Sequence, residues 1–202
     1  MELTNVTYRG PAFDATSPTI TVLPANLLSL LQQTNGFVQF GGGLHVRGVC
    51  EQPLWHSLTS VLAGPLALHK SYDALLPTDV PFAQDCMADQ FVLRDGNIFK
   101  LWSETGEMES LDLNLPQFFK AAEANSVEFL GMEPLLRFES DGNSLQPGQV
   151  LHAYPPFCTE EAANGVSLRA VSIVEALQFL AGFSRQLSGL APGERFEIRI
   201  VP

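Results

Sequence analysis

Hydrophobic positions along the chain recur with a helical period in some segments and alternate with polar residues in others. Four leucines between positions 27 and 31 form one apolar stripe, and Asn35-Gly36 follows it, which predicts a helix over 25–34 with a glycine stop. Leu115-Pro116 places proline in a first helical turn. Similar spacing predicts further helices over 54–62, from 115 onward, and over 172–187.

Alternating runs bounded by turn residues predict strands. Asp95-Gly96 and a turn at Gly106 separate three such runs, because glycine takes positive φ without steric cost, and the pattern predicts a three-stranded antiparallel meander over 90–112. The other predicted strands cover residues 3–8, 37–40, 44–47, 135–138, 150–154, 166–171 and 196–200.

Clusters of strands with helices between them predict an α+β fold, a mainly antiparallel sheet flanked by helices. The length of 202 residues suits a single domain over 1–202. Within it we expect a loosely held arm at 1–18, a core at 20–130, and a C-terminal β/α extension at 131–202 packed on that core.

The charge is concentrated in one part of the chain. The net charge is -11, and residues 79–161 alone hold 15 acidic and 4 basic residues, so the flanking segments together are neutral. This excess repels phosphate, and we expect no direct nucleic-acid binding. It would attract a basic protein, although a solvated acidic face that only aids solubility is the simpler alternative.

Compartment and membrane signals are absent from the sequence. The three cysteines form no C-x-x-C pair, which favours reduced thiols over a disulfide framework. No basic, apolar leader is visible at the N-terminus, and no uncharged apolar run reaches the ~20 residues of a membrane span. The predicted location is the cytoplasm, with no membrane partner.

The segment 79–96 carries the main candidate chemistry. Asp79, Asp85 and Asp89 are placed by their pattern in a loop that leads into an apolar strand. Their spacing of six and four lacks the alternate oxygen ligands and central glycine of a calcium loop, so solvated or capping carboxylates are favoured over a metal site. Cys86 lies among acids that oppose thiolate formation, which disfavours a cysteine nucleophile.

Other motifs favour structural roles. Residues 41–43 are three glycines that precede a strand pattern, which favours a bulge or turn over a phosphate loop. The four histidines show no ligand spacing, and His56 beside Trp55 is predicted to lie on a helix surface. Tyr154-Pro155-Pro156-Phe157 could dock a partner or close one end of the core. No catalytic residue, cofactor or metal is predicted.

An ordered set of these pieces, over about residues 20–130, resembles the SUKH superfamily of Smi/Knr-like proteins. The pieces are Asn35-Gly36-Phe37, Gly42-Gly43-Leu44-His45-Val46, the segment 79–91, and the hairpin turns at Asp95-Gly96 and at 104–107. The family often has glycine where this chain has Ala88-Asp89. The resemblance implies an α+β fold without catalytic residues. It also implies either an immunity protein against a toxin domain, often a nuclease, or a regulator of cell-wall synthesis.

Three functions remain open at this point. The first is a non-catalytic immunity protein that binds a basic toxin, with the partner-binding residues Asp79, Asp85, Asp89, Glu104 and Glu107. The second is a regulator or scaffold that binds a peptide or protein without inhibiting it. The third is a carboxylate-dependent enzyme assisted by a metal. The oligomeric state and the role of 131–202 are left open.

Overall fold

Seven strands form one antiparallel sheet in which each strand pairs with its neighbour in sequence, from β1 to β7. The structure is a computed structural model that describes residues 3–190, and its fold is α+β. The strands of this sheet are β1 (Val6–Arg9), β2 (Phe37–Gln39), β3 (Leu44–Val46), β4 (Val80–Asp85), β5 (Gln90–Arg94), β6 (Asn97–Leu101) and β7 (Met108–Asn114). The predicted meander over 90–112 is confirmed as β5–β6–β7.

The described residues form six α-helices: α1 (Ala25–Gln33), α2 (Leu58–Leu62), α3 (Leu115–Ala124), α4 (Ser126–Leu130), α5 (Glu133–Ser140) and α6 (Ile173–Leu187). The start of α3 is fixed by a capping box in which Asn114 and Gln117 each accept from the other's backbone N–H, with Pro116 in the first turn. The predicted helices over 25–34 and 172–187 match α1 and α6.

Helix α3 covers the sheet with aromatic side chains. The ring of Phe118 lies 4.7 Å from Phe91 on β5 and 5.5 Å from Phe82 on β4, both edge to face. All three side chains are fully buried. Burial of each contributes about 2 kcal/mol, and the edge-to-face geometry adds about 1 kcal/mol a pair.

The C-terminal half of the described chain adds a second, two-stranded sheet, β8 (Gln149–Tyr154) with β9 (Ser167–Ser172). Helix α6 packs against both strands. The backbone N–H of Leu151 donates to the carbonyl of Cys86 at 2.7 Å, which ties β8 to the end of β4. Ile173 and Leu177 of α6 belong to the same apolar core as the large sheet, consistent with a single domain.

The predicted loop over the acidic segment was wrong for residues 80–85, which form β4, the fourth strand of the sheet, with every residue buried. Asp79 and Asp89 lie outside the strands, as expected. Pro81 lies at a register shift, where its missing N–H costs no regular ladder bond. The side chain of Gln84 accepts a hydrogen bond from the buried Arg47. Because Gln84 is polar, the segment does not show the run of apolar residues that predicts a buried strand.

A second wrong prediction concerned residues 135–138, which form part of α5 rather than a strand. Leu135 and Phe138 are buried three residues apart, while Leu136 between them is exposed, which is the spacing of a helix. Glu133 and Pro134 at the start supply an acidic residue and a proline in the first turn.

The described part of the predicted arm, residues 3–18, is held more firmly than expected. Strand β1 pairs with β2 at the edge of the sheet, and Gly10 donates to the carbonyl of Gly36 at 3.0 Å. The side-chain amide of Asn35 donates to the carbonyls of Pro11 and Ala12. The strand predicted over 196–200 lies outside the described residues.

Candidate functional site

Four of the five predicted carboxylates line one cavity of about 490 Å³, which we call the acidic pocket. Four chain segments meet there: the β4–β5 turn, the β6–β7 turn, the start of α5, and the loop after β8. The charged and aromatic residues that line it are Asp85, Asp89, Lys100, Trp102, Glu104, Glu107, Glu133 and Phe157.

Asp79, the fifth, lies elsewhere and is paired inside the chain. Its Oδ1 accepts from Arg94 Nε at 2.8 Å and its Oδ2 from Arg94 Nη2 at 2.5 Å, a bidentate ion pair. Oδ2 also accepts from the backbone N–H of Leu76 at 2.7 Å. The carboxylate is buried, so it anchors the loop before β4 to β5 and does not present a free negative charge.

Asp85 and Lys100 form the floor of the acidic pocket. Asp85 Oδ1 accepts from the backbone N–H groups of Met87 at 2.9 Å and Asp89 at 3.0 Å, which closes the β4–β5 turn. Asp85 Oδ2 accepts from Lys100 Nζ at 2.9 Å, and Asp89 Oδ2 lies 3.5 Å from the same nitrogen. Both aspartates are buried, so of the two expected roles, solvated or capping, solvation is wrong and capping describes Asp85.

Two opposing effects act on the charges of this floor. Burial and the negative charge of Asp85 raise the pKa of Asp89 to about 8, although Lys100 opposes part of that rise. Burial alone would lower the pKa of Lys100, but Asp85 and Asp89 more than offset it, and the pKa lies above its usual value. The floor is therefore a cation site that the chain fills with its own ammonium group.

The turn between the two aspartates is tight. Ala88 has a φ of 66°, in the left-handed region that glycine adopts most easily, and its methyl group is buried. Its carbonyl accepts from the hydroxyl of Ser103 at 2.6 Å, and Asp89 Oδ1 accepts from the backbone N–H of Ser103 at 2.8 Å. These bonds fix the turn against the end of β6.

The rim of the acidic pocket is more open than its floor. Glu104 accepts from the backbone N–H groups of Phe157 at 3.2 Å and Cys158 at 3.1 Å, so this carboxylate holds the loop after β8. Glu107 and Glu133 are exposed, and their carboxylates make no hydrogen bond or ion pair with residues 3–190. The rim thus offers two carboxylates that no side chain of residues 3–190 neutralises.

Two aromatic side chains complete the rim. Trp102 is 40% exposed and Phe157 is 46% exposed, so neither closes the core. Lys100 Nζ lies 4.0 Å from the centroid of the Trp102 ring, a cation–π distance. An acidic concave surface with half-exposed rings is suited to a cationic group that also carries apolar surface.

Sequence reasoning missed Lys100, Trp102 and Glu133 as members of this site. Lys100 and Trp102 flank Leu101, the last residue of β6, and that alternation is the signal that places both on the same side of the chain. Glu133 carries no comparable signal, because its place at the pocket depends on α5 folding back over the β6–β7 turn. Phe157 belongs to the aromatic–proline motif, for which the sequence leaves two roles, docking a partner or closing one end of the core.

The remaining candidates have structural roles. The glycines at 41–43 form the turn between β2 and β3, as expected. His56 is fully buried, so its predicted place on a helix surface was wrong. Its Nδ1 lies 2.9 Å from His45 Nε2. Within residues 3–190 no group of three His, Cys, Asp or Glu side chains is arranged to hold a metal ion.

Comparisons with known proteins find a solved structure of similar fold. No protein-family profile matches the sequence, and no curated protein does. A crystal structure of Atu4351 from Agrobacterium tumefaciens is similar, with a TM-score of 0.52 and 12% sequence identity, over 87% of this chain and 85% of that one. The likeness extends to the fold alone. Among the helices described, none has the length and apolar character that a membrane crossing needs.

Proposed function

We propose that this chain is a non-catalytic, cytoplasmic protein-binding module that neutralises a basic toxin domain, in the manner of a nuclease immunity protein. The observation that carries the proposal is the acidic pocket, where Glu107 and Glu133 are exposed near the half-exposed ring of Trp102 and form no ion pair within the described part of the chain. A nuclease uses cationic side chains to hold phosphate, so an acidic and aromatic concavity is complementary to such a surface.

The distribution of charge supports the same proposal. The acidic pocket is lined only by residues of the segment 79–161, which holds the whole excess of negative charge. A field concentrated on one region steers a basic partner toward it and raises the rate of encounter. The motif order that resembles the SUKH superfamily implies either immunity or regulation, and the excess of negative charge at the acidic pocket is the reason for preferring a basic toxin as the partner.

The floor of the pocket argues against the carboxylate-dependent enzyme. Both oxygens of Asp85 are engaged, by backbone N–H groups and by Lys100. Asp89 Oδ2 lies 3.5 Å from the same ammonium group, so both aspartates face the chain's own cation. A general base or a metal ligand at the floor would need one of these two carboxylates facing the substrate.

The test is affinity capture from the source cells followed by kinetics with the captured partner. The bait is compared with a double variant, Glu107→Lys with Glu133→Lys, and with a matched control, Glu139→Lys with Glu175→Lys. All four glutamates are exposed, and the control pair does not line the acidic pocket. We expect the pocket variant to associate about tenfold more slowly, and the control to behave as the unmodified chain.

The same variants separate immunity from regulation. Expression of the captured partner should arrest growth, and co-expression of the unmodified chain or the control variant should restore it. Restoration by the pocket variant, or capture that the pocket variant leaves unchanged, would refute the proposed role of the acidic pocket. A partner that is captured but arrests no growth would favour the regulator.

A further inference from the structure

We propose that the acidic pocket receives the guanidinium group of one arginine side chain, presented by a partner polypeptide and stacked at the Trp102 ring between the carboxylates of Glu107 and Glu133. This inference rests on the proposed function for the identity of the presenting protein, and on the pocket alone for the identity of the group.

The chain's own lysine shows that the pocket binds cations. Lys100 Nζ is held by Asp85 at 2.9 Å and Asp89 at 3.5 Å while it lies over the ring of Trp102 at 4.0 Å. Carboxylates and an aromatic face are the two elements of cation recognition in proteins. Both elements recur at the rim, where the carboxylates of Glu107 and Glu133 pair with no cation of residues 3–190.

Room and charge both remain for a second cation. The cavity of about 490 Å³ lies within the range of small-molecule sites, which is ample for one long side chain. Five carboxyl groups line it against the single ammonium group of Lys100. Glu104 is held by the loop after β8, so Glu107 and Glu133 are the carboxylates that can turn toward an incoming group.

The shape of the rim favours arginine over lysine. A guanidinium group is planar, stacks on an aromatic face, and carries five N–H donors that can reach separate carboxylates at once. An ammonium group is a compact, strongly hydrated point charge that would compete with Lys100 for the same part of the ring. The half-exposed rings of Trp102 and Phe157 also give the apolar stem of an arginine a surface to cover.

The experiment follows the Trp102 indole N–H by NMR in the intact, ¹⁵N-labelled chain. The sequence has only two tryptophans, and a Trp102→Phe variant assigns the signal. The probes are three blocked tripeptides, Gly-Arg-Gly, Gly-Lys-Gly and Gly-citrulline-Gly, with free L-arginine as a fourth. Citrulline keeps the shape of arginine and removes its charge.

We expect a saturable shift with the arginine peptide, binding about threefold weaker with the lysine peptide, and no saturation with the citrulline peptide. Glu107→Gln with Glu133→Gln should weaken the arginine peptide about tenfold, while Glu139→Gln should leave it unchanged. Equal binding of the citrulline peptide, or a shift that never saturates, would overturn the inference. Tighter binding of free arginine than of the peptide would assign the pocket to a small molecule.

Failure of this inference and failure of the proposed function give different results. If the captured partner depends on Glu107 and Glu133 but no arginine peptide binds, the function stands and the arginine assignment falls. If the peptide binds and capture finds no partner that depends on these residues, the guanidinium site stands and the toxin-binding role falls.

Discussion

The most demanding single residue in this fold is Arg47, a fully buried guanidinium whose donors meet neutral oxygens. Its Nη1 donates to the carbonyl of Pro81 at 2.9 Å, and its Nη2 donates to the side-chain oxygens of Gln84 and, at 2.8 Å, Gln90. Burial lowers the pKa of Arg47 to about 9. The guanidinium group of Arg47, directly after β3, therefore crosslinks β4 and β5 to the end of β3. Only a planar group with several N–H donors can make these bonds at once.

Arg47→Lys should lower the free energy of unfolding by about 3 kcal/mol, because one ammonium group cannot satisfy oxygens on two strands and leaves buried acceptors unpaired. Arg169→Lys on the exposed face of β9 keeps the same chemistry without burial and should change stability by less than about 0.5 kcal/mol. Urea unfolding at neutral pH measures both. An Arg47→Lys protein as stable as the control would show that the hydrogen bonds of the guanidinium group do not stabilise the fold.

A pair of buried imidazoles lies next to this arginine. His56 Nε2 lies 2.9 Å from the carbonyl oxygen of Asn35, so that nitrogen donates and Nδ1 is left to accept. His45 Nε2, at 2.9 Å, then donates to His56 Nδ1. Burial lowers the pKa of His56 to about 4 and that of His45 well below its usual value, and the charge of Arg47 adds to both effects.

Protonation of His56 should therefore destabilise the fold as pH falls. Its folded pKa of about 4 lies below the usual 6.5, so the unfolded chain binds more protons between these values. The stabilisation is complete above about pH 6.5 and is lost toward pH 4, at about 1.4 kcal/mol per pH unit. A proton on Nδ1 would also face the N–H of His45, since both nitrogens would then donate.

The measurement compares the pH dependence of urea unfolding for the unmodified chain and His56→Gln. The variant should show a slope smaller by about one proton between about pH 4.5 and 6. Asp89 acts in the opposite direction, because its raised pKa makes the native state hold a proton there. The comparison is therefore between variants, with His69→Gln as the control, and identical slopes for the chain and His56→Gln would contradict the assignment.

At the scale of elements, the turn from α1 into β2 depends on a glycine. Gly36 has a φ of 75°, and a Cβ added there would lie 2.6 Å from the carbonyl oxygen of Val46 and 2.6 Å from His56 Cε1. Gly96, in the β5–β6 hairpin, has a φ of 85°, and a Cβ there would meet nothing within 4 Å. The two positions share the backbone strain and differ in the space around them.

Gly36→Ala should lower the free energy of unfolding by about 3 kcal/mol or more. Gly96→Ala should lower it only by the strain of a left-handed backbone, about 1 kcal/mol. Thermal and urea unfolding of both variants gives the difference between the two losses of stability, and that difference measures the clash of the added methyl group with Val46 and His56. Equal losses at the two positions would mean that the backbone around Gly36 moves aside without penalty.

Turn residues, capping residues and alternation predicted the elements whose formation depends on residues close together in the sequence. The β5–β6–β7 meander follows from alternation with Asp95-Gly96, and α3 follows from its proline and capping residues. Strand β4 could not be recognised, since Gln84 owes its burial to Arg47, 37 residues earlier in sequence. Its central place in the sheet is a long-range property, which short windows of sequence do not contain.

The candidate site was predictable in part for the same reason. Glu104 and Glu107 lie on a hairpin that the sequence marks, and the structure brings them together with Asp85 and Asp89 at one pocket. Acidic composition could not show that the aspartates are buried, because their pairing with Lys100 depends on strand register. Asp79 likewise needs Arg94 across the β4–β5 pair to become an internal ion pair.

For the whole molecule, these pairings divide the acidic segment into two populations. Asp79 and Asp85 are neutralised locally by Arg94 and Lys100, and they stabilise the middle of the sheet. The exposed carboxylates of the rim, Glu107 among them, remain to set the external field. From the net charge alone, every carboxylate of the segment would be available to a basic partner. In the structure the exposed carboxylates of the rim are available, and the buried Asp79 and Asp85 are not.

The same division makes binding at the acidic pocket depend on pH. Burial and the charge of Asp85 raise the pKa of Asp89 to about 8, so this carboxyl group carries a proton over much of the neutral range. The groups that face it are Asp85, Lys100 and Glu104. The pKa of Lys100 is raised, so the ammonium group keeps its charge through that range.

A guanidinium group in the rim would favour the ionised form of Asp89 and lower its pKa, so binding should release a proton. Affinity for the arginine peptide should therefore rise as pH increases from about 6 to about 8, by up to tenfold per unit that the pKa falls, and then level. The peptide stays charged throughout. Asp89→Asn removes the titration, and its profile measured by the Trp102 signal should be flat. An unmodified chain whose affinity stays constant or falls with pH would place the bound cation beyond the reach of Asp89.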